Sequence, residues 1–239
     1  MIRTAIVAVF LTLYTLVVGL PLVLVAWITG NPDLLFRLGR SGAYFSARLV
    51  GVKIKIEGQE KIPPGVCLFL ANHTSFVDPV PIVWAIRRRV AILLKRSLLS
   101  IPIVGWGFQL AKFVPVNRAN ARSGIASAEL ATDRMKQGLS FLAYPEGTRS
   151  FDGRLLPFKK AIFATAINAH VPIVPMVLIG AQKIAPKGSL RIKAGEVTVR
   201  FGDPIDASAY TITQRRELAD RVHAAMAALL PPDQQPLKL

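Results

Sequence analysis

Cysteine is nearly absent from the 239-residue chain: Cys67 stands alone, which excludes an internal disulfide and a cysteine-based metal site. It lies in the apolar run Val66-Cys67-Leu68-Phe69-Leu70 and reads as a small core residue of a protein in a reducing compartment. Acidic residues are scarce as well. Fourteen Asp plus Glu against thirty Lys plus Arg leave a net charge of +16, so the partners of this chain are anionic. Aromatic side chains make up only 8%, with no zinc spacing and no aromatic-basic ribonucleoprotein signature, which argues against nucleic acid. Apolar residues are abundant: the hydrophobic fraction is 52% and the mean hydropathy +0.43. That excludes disorder, and basic charge on so apolar a chain points to an anionic membrane surface. There is no internal repeat or low-complexity linker, and the length suits one catalytic-sized domain with a small appendage.

The apolar character is concentrated at one end. Residues 4–32 carry no charged side chain, and these 29 residues exceed the ~20 that cross a ~30 Å hydrocarbon core as a helix. Gly19-Leu20-Pro21 interrupts the run, because Pro21 lacks an N–H and its ring collides with the preceding turn. The stretch is either one kinked transmembrane helix or two shorter helices dipped into one leaflet. Bulky Trp27 and Ile28 stand where a cleavable signal needs small residues. Residues 34–50 then place Arg37, Arg40 and Arg48 on one helical face, and Leu34, Leu35, Leu38, Phe45, Leu49 and Val50 on another. That is the pattern of a basic amphipathic helix lying among headgroups. Residues 1–50 therefore read as an N-terminal membrane-associated segment, with the rest of the chain on the cytoplasmic face of the inner membrane. The triple Arg87-Arg88-Arg89 reads as a helix C-terminal cluster facing the same anionic surface.

From residue 51 to 230 short apolar runs alternate with amphipathic stretches, which predicts an α/β domain. Strands are expected at 52–56, 66–71, 90–94, 113–116, 139–144, 173–179 and 196–201, and helices at 80–88, 120–137, 158–169 and 213–230. Residues 231–239 form a short tail expected to fray.

Three polar or basic features stand at the ends of expected strands, where α/β proteins place their ligands. In Asn72-His73-Thr74-Ser75-Phe76-Val77-Asp78 a histidine precedes a carboxylate by five residues. A continuous helix would set them about 140° apart, so the segment must turn for them to meet. A carboxylate on one imidazole nitrogen leaves the other free as a general base; alternatively, Asp78 simply caps the next helix. Tyr144-Pro145-Glu146-Gly147-Thr148-Arg149-Ser150 offers a glycine for close approach, hydroxyl donors, and a guanidinium fork suited to phosphate. Glu146 would repel phosphate unless it anchors Arg149 or accepts from a substrate hydroxyl. Finally, a Gly- and Pro-punctuated apolar stretch lies between Lys95-Arg96 and Arg118. It is either the lining of a groove for a fatty chain or plain core.

In this order the blocks resemble the 1-acyl-sn-glycerol-3-phosphate (lysophosphatidic acid) acyltransferase family. Its Asn-His-x4-Asp motif is similar to residues 72–78, its glycine-to-arginine block to 107–118, and its Val-Pro-Ile-Val-Pro block to 171–175. Its Pro-Glu-Gly-Thr-Arg-Ser block looks like 145–150 without change. The resemblance implies a mixed sheet flanked by helices and a direct acyl transfer. His73, held by Asp78, would take the proton of a lysophospholipid hydroxyl as it attacks an acyl thioester. Glu146, Gly147, Thr148 and Arg149 would grip the glycerol phosphate, with Arg118 and Lys95 adding positive charge. The implied partners are lysophosphatidic acid, acyl-CoA or acyl carrier protein, and an anionic membrane; no metal or other cofactor is expected. The His-x4-Asp unit is shared by relatives that acylate lyso-ornithine lipid or other lysophospholipids. The phosphate-directed Arg118, Arg149, Lys159 and Lys160 favour a phosphomonoester acceptor. A basic non-enzymatic membrane scaffold is the rival class.

Overall fold

The apolar N-terminal stretch is one continuous helix. In the computed structural model, which describes residues 1–116 and 121–237, α1 (Ile2–Tyr14) and α2 (Leu20–Thr29) are joined without a break by a π-helical turn over Thr15–Gly19. A widened turn just before Pro21 is a common way for a helix to absorb a missing N–H without breaking. The combined helix Ile2–Thr29 is long and apolar enough to cross a bilayer, and Leu13, Val17, Leu24, Trp27 and Ile28 are all exposed along it. After Gly30 the chain reverses into α3 (Asp33–Leu49), which packs back against the long helix and onto the body.

The buried side of α3 is built from small residues and one phenylalanine. Phe36, Gly42 and Ser46 are buried, while Leu34, Phe45 and Leu49 are exposed. Small residues let two helices approach closely: a Cβ on Gly42 would sit 2.4 Å from the Tyr14 ring, whose hydroxyl donates to Leu38 O at 2.9 Å. Hydropathy marks greasy positions and is blind to small ones, so the packing face was not visible in the sequence. The exposed leucines and phenylalanine extend the apolar surface of the long helix.

The body is a seven-stranded sheet with β1 (Val52–Glu57), β2 (Leu68–Ala71), β3 (Val90–Lys95), β4 (Val114–Val116), β5 (Ser140–Ala143), β6 (Ile173–Ile179) and β7 (Gly195–Phe201) in the order β1-β7-β6-β2-β5-β3-β4. The five strands from β6 to β4 are mutually parallel; β7 runs against β6, and β1 runs with β7. β2 and β5 are buried at every position, as strands covered by helices on both faces must be. At the edge, β1 alternates Lys53 and Lys55 outward, and charge there discourages pairing with another chain. The covering helices are α4 (Pro79–Ile86), α5 (Val104–Leu110), α6 (Ala121–Lys136), α7 (Ala161–Ala169), the single turn α8 (Ala181–Ile184) and α9 (Arg215–Leu229). Because the strands are parallel, the C-terminal ends of β2, β5, β3 and β4 open onto one edge.

Two expectations change. Of the arginine triplet only Arg87 is exposed. Arg88 turns inward, donating to Pro63 O and Cys67 Sγ and lying over the Phe69 ring, and Arg89 pairs with Asp33 at 2.7 Å. The tail is docked as far as Gln235: Gln234 is buried, its carbonyl accepts from Leu155 N, and the carbonyl of Gln235 accepts from Arg154.

Candidate active site

Where β2 ends, the Asn72 side chain continues its ladder. The amide accepts from Leu178 N at 2.7 Å and donates to Leu178 O at 3.1 Å, tying the turn to β6 after the backbone has left the sheet. Within the turn His73 Nδ1 donates to Asp78 Oδ2 at 2.8 Å. The same carboxylate oxygen accepts from Thr74 N at 2.8 Å and Ser75 N at 2.9 Å. Asp78 stands at the N-cap of α4 but makes no capping bond to it, and Pro79 has no N–H to offer. One oxygen of the Asp78 carboxylate, Oδ2, serves the histidine loop. Asp78 is fully buried and His73 only 8% exposed. The imidazole stacks on the Tyr144 ring with centroids 4.1 Å apart and planes at 18°. With Nδ1 committed as a donor to a carboxylate, the tautomer is set and Nε2 carries the lone pair.

The second turn, at the end of β5, holds the first in place. Glu146 Oε1 accepts from His73 N at 2.6 Å and Oε2 from Leu156 N at 3.0 Å, while Ser150 N donates to His73 O at 2.7 Å. Both backbone polar groups of His73 are thus fixed by residues 146–150. Glu146 is 3% exposed. Burial pushes its carboxyl up to about 8 against the pull of its two backbone donors, with the nearby Asp78 charge adding to the rise. Gly147 adopts φ +70°, and a Cβ there would meet the Lys159 side chain at 2.8 Å. Arg149 is half-buried, without an ion pair to any described residue, and Thr148 is exposed.

Beside these turns lies an apolar cavity of about 440 Å³ between α1, α2 and α3 on one side and β3, α4 and α5 on the other. Its size is that of an ordinary small-molecule site, ~300–1,000 Å³. Pro79 and Val80, the residues directly after Asp78, form part of its wall together with Leu22, Leu35, Ile103 and Phe108. The cavity therefore reaches the base of the histidine turn.

Comparison with known proteins decides what this constellation belongs to. The family model described as Acyltransferase matches residues 53–179, a span holding both turns. The chain is 32% identical over 211 residues to the 1-acyl-sn-glycerol-3-phosphate acyltransferase of Limnanthes douglasii, covering 86% of this chain and 75% of that one. The chain belongs to the 1-acyl-sn-glycerol-3-phosphate acyltransferase family. It is also similar to the human alpha enzyme of that name, at 31% over 180 residues, covering 74% of this chain and 64% of the human one. In fold it matches the crystal structure of the 1-acyl-sn-glycerophosphate acyltransferase PlsC of Thermotoga maritima with a TM-score of 0.81, at 24% identity and over 95% and 93% of the two chains.

The acyltransferase brings together most of the residues singled out in its sequence, with one reassignment. His73 and Asp78 meet, and Gly147, Thr148 and Arg149 lie on the adjoining turn. Both Glu146 oxygens accept from backbone amides, those of His73 and Leu156, so the hydrogen bonds of this residue support the histidine loop. Lys95 is exposed at the end of β3, on the same edge but two strands from β2, about 10 Å at normal strand spacing. Arg118 lies outside the described residues, just beyond β4. The stretch 103–113 lines the cavity through Ile103, Val104, Gly107, Phe108, Ala111 and Phe113, as the groove reading expects. Sequence reasoning overlooked Tyr144, whose ring packs the imidazole and whose place directly after an apolar strand was the available signal. It also overlooked Lys187, which no motif marks.

Proposed function

We propose that this acyltransferase moves a fatty acyl chain from a thioester, acyl-CoA or acyl carrier protein, to the sn-2 hydroxyl of 1-acyl-sn-glycerol 3-phosphate, giving phosphatidic acid for phospholipid synthesis. The observation that carries the reading is the 2.8 Å bond from His73 Nδ1 to a fully buried Asp78, set beside a turn bearing Arg149, which has no ion pair among the described residues. His73 Nε2 takes the proton of the acceptor hydroxyl as its oxygen attacks the thioester carbonyl. A carbon–oxygen bond forms, the tetrahedral intermediate collapses with cleavage of the carbon–sulfur bond, and the imidazolium returns the proton to the leaving thiolate. Asp78 stabilises the imidazolium without itself becoming protonated. No acyl-enzyme is needed, because both substrates meet at one histidine.

Arg149 grips the acceptor phosphate through its guanidinium fork and so orients the hydroxyl for attack. Lys95, on the same edge of the sheet, adds longer-range positive charge, and Arg118 is taken as a further cation from its place in the motif alone. The apolar cavity takes an acyl chain. The exposed apolar face of the long helix and α3, with Arg37 and Arg48 on the same hairpin, holds the enzyme on the anionic cytoplasmic face of the inner membrane, where a lysolipid is drawn from the leaflet.

The experiment is acyl transfer by purified protein in liposomes, with one acyl-CoA and a panel of 1-acylglycerol 3-phosphate, lysophosphatidylcholine, lyso-ornithine lipid and glycerol 3-phosphate. Preferential transfer to the first supports the reading. Preferential transfer to another acceptor would move the headgroup role away from Arg149.

A further inference from the structure

The headgroup side of the site holds a cation that lies outside every motif. Lys187 belongs to the loop between α8 and β7, more than a hundred residues after His73. Folding presses that loop against the histidine turn. Ser75 Oγ donates to Ala185 O at 2.6 Å, and Ser75 forms an isolated antiparallel bridge with Pro186. From this anchor Lys187 reaches over the neighbouring turn: its ammonium donates to Arg149 O at 2.6 Å, stands 3.4 Å from Thr148 Oγ1, and sits 3.7 Å above the centre of the Phe151 ring.

This placement is hard to explain as packing. A lysine stem is among the costliest side chains to immobilise, and a half-buried ammonium is compensated well only by an anion. Lys187 has no carboxylate partner among the described residues; a carbonyl, a long hydroxyl contact and a ring face take its place. The two carboxylates of residues 144–154 are both engaged elsewhere. Glu146 is buried on backbone amides, and Asp152 accepts from Ser150 Oγ and Arg154 N. Lys159 lies against Gly147 on the same turn. Three cations therefore surround residues 147–149 with no free acid among them.

We infer that Lys187 is a headgroup-selecting residue, which binds the acceptor's phosphomonoester together with Arg149 and favours a dianion over a zwitterionic phosphodiester. The inference rests on the proposed function. A phosphomonoester offers three peripheral oxygens. The planar fork of Arg149 can take two, and the compact ammonium of Lys187 supplies a point charge for the third. A choline headgroup offers one fewer charged oxygen and brings its own cation toward Lys187. The arrangement also makes the contact rigid, because the Phe151 ring and the Arg149 carbonyl hold the ammonium in place before substrate arrives. The phosphates of a thioester donor share this chemistry, so the test separates the two substrates.

Wild type, Lys187→Ala, Lys187→Arg and Phe151→Ala would be compared in two assays. The first is steady-state acyl transfer with acceptor and acyl-CoA varied in turn; the second is calorimetric binding of 1-acylglycerol 3-phosphate and of lysophosphatidylcholine in detergent, without donor. The expected result for Lys187→Ala is a tenfold to hundredfold rise in acceptor KM and Kd for the phosphomonoester, about the value of one charge-assisted hydrogen bond. Donor KM should stay unchanged, kcat should hold within about threefold, and the preference over lysophosphatidylcholine should shrink. Lys187→Arg should restore most of the affinity, and Phe151→Ala should weaken it two- to threefold. A selective rise in donor KM, an unchanged acceptor Kd in Lys187→Ala, or equal losses for both lysolipids would overturn the inference. Wild type that neither binds nor acylates 1-acylglycerol 3-phosphate, while acting on another lysolipid, would instead remove the proposed function on which it stands.

Discussion

The turn after β2 and the turn after β5 are alike in position and opposite in character. The first, residues 72–78, is buried except at Phe76 and Val77, and three of its own donors converge on one oxygen of Asp78. The second, residues 144–150, is buried only through Pro145, Glu146 and Ser150 and leaves Thr148 and Arg149 accessible. One turn fixes a proton acceptor, and the other presents charge to a ligand. Glu146 crosses between them: its place in the sequence is the second turn, while its hydrogen bonds serve the first. Division of labour in this site therefore follows hydrogen bonds and not motif boundaries.

The sharpest break of the comparison is His73→Ala, which should lower turnover by roughly 10²–10⁴, the usual worth of a positioned general base. The circular dichroism spectrum should stay as it is, because the residue sits at a strand end. Next, Asp78→Asn should cost about a hundredfold in kcat, since the neutral amide neither sets the tautomer nor stabilises imidazolium; steady-state rates with both substrates saturating would check it. Arg149→Ala belongs to the other turn and should act on the acceptor alone, raising its KM by about 10- to 100-fold, the scale of a lost charged hydrogen bond. Equal effects on kcat would merge the two turns into one unit.

The smallest effect concerns pH. The Glu146 carboxyl ionises at about 8 when folded, against an ordinary value of 4.5, so the folded protein holds a proton that the unfolded chain releases. That contribution to stability is complete below pH 4.5 and is lost as pH rises through 8. Melting temperature should fall between pH 6 and 8.5 by about 2–4 °C per kcal/mol lost. In Glu146→Gln the curve should be flatter over that window, as thermal melts in one detergent at several pH values would show.

Much of this was legible in the chain. The apolar run 173–179 is β6 residue for residue, because a strand buried on both faces needs nothing but hydrophobic side chains. The His73–Asp78 pair was readable because a five-residue spacing cannot bring the two side chains together on a continuous helix, so the segment had to turn; Asp78 itself keeps helical angles, φ −50° and ψ −38°, although a proline follows it. Other features depend on contacts that spacing does not reveal. α5 carries Gly105 and Gly107 and so lacks a helical signature, which left it as an irregular apolar stretch. α7 begins at Ala161, three residues later than expected, since Lys159 N is already bonded to Pro145 O. A glutamate in a motif loop looks like a ligand contact; only closure of the two turns over it shows that its partners are backbone amides. Lys187 reaches the site through the β-bridge at Ser75, and nothing local to residue 187 announces it.

The most direct test of the account is the split between kcat and acceptor KM in Glu146→Gln. Above pH 8, where the Glu146 carboxyl is ionised and both oxygens accept, a glutamine can accept from only one of the two amides and turns a donor toward the other, so with rates measured there the His73 backbone should loosen while the headgroup surface stays intact. The expected result is a tenfold or greater fall in kcat with acceptor KM unchanged within about twofold, the loss of a buried hydrogen-bond partner being felt at the base. A rise in acceptor KM like that of Arg149→Ala, with kcat preserved, would contradict it and return Glu146 to the headgroup site.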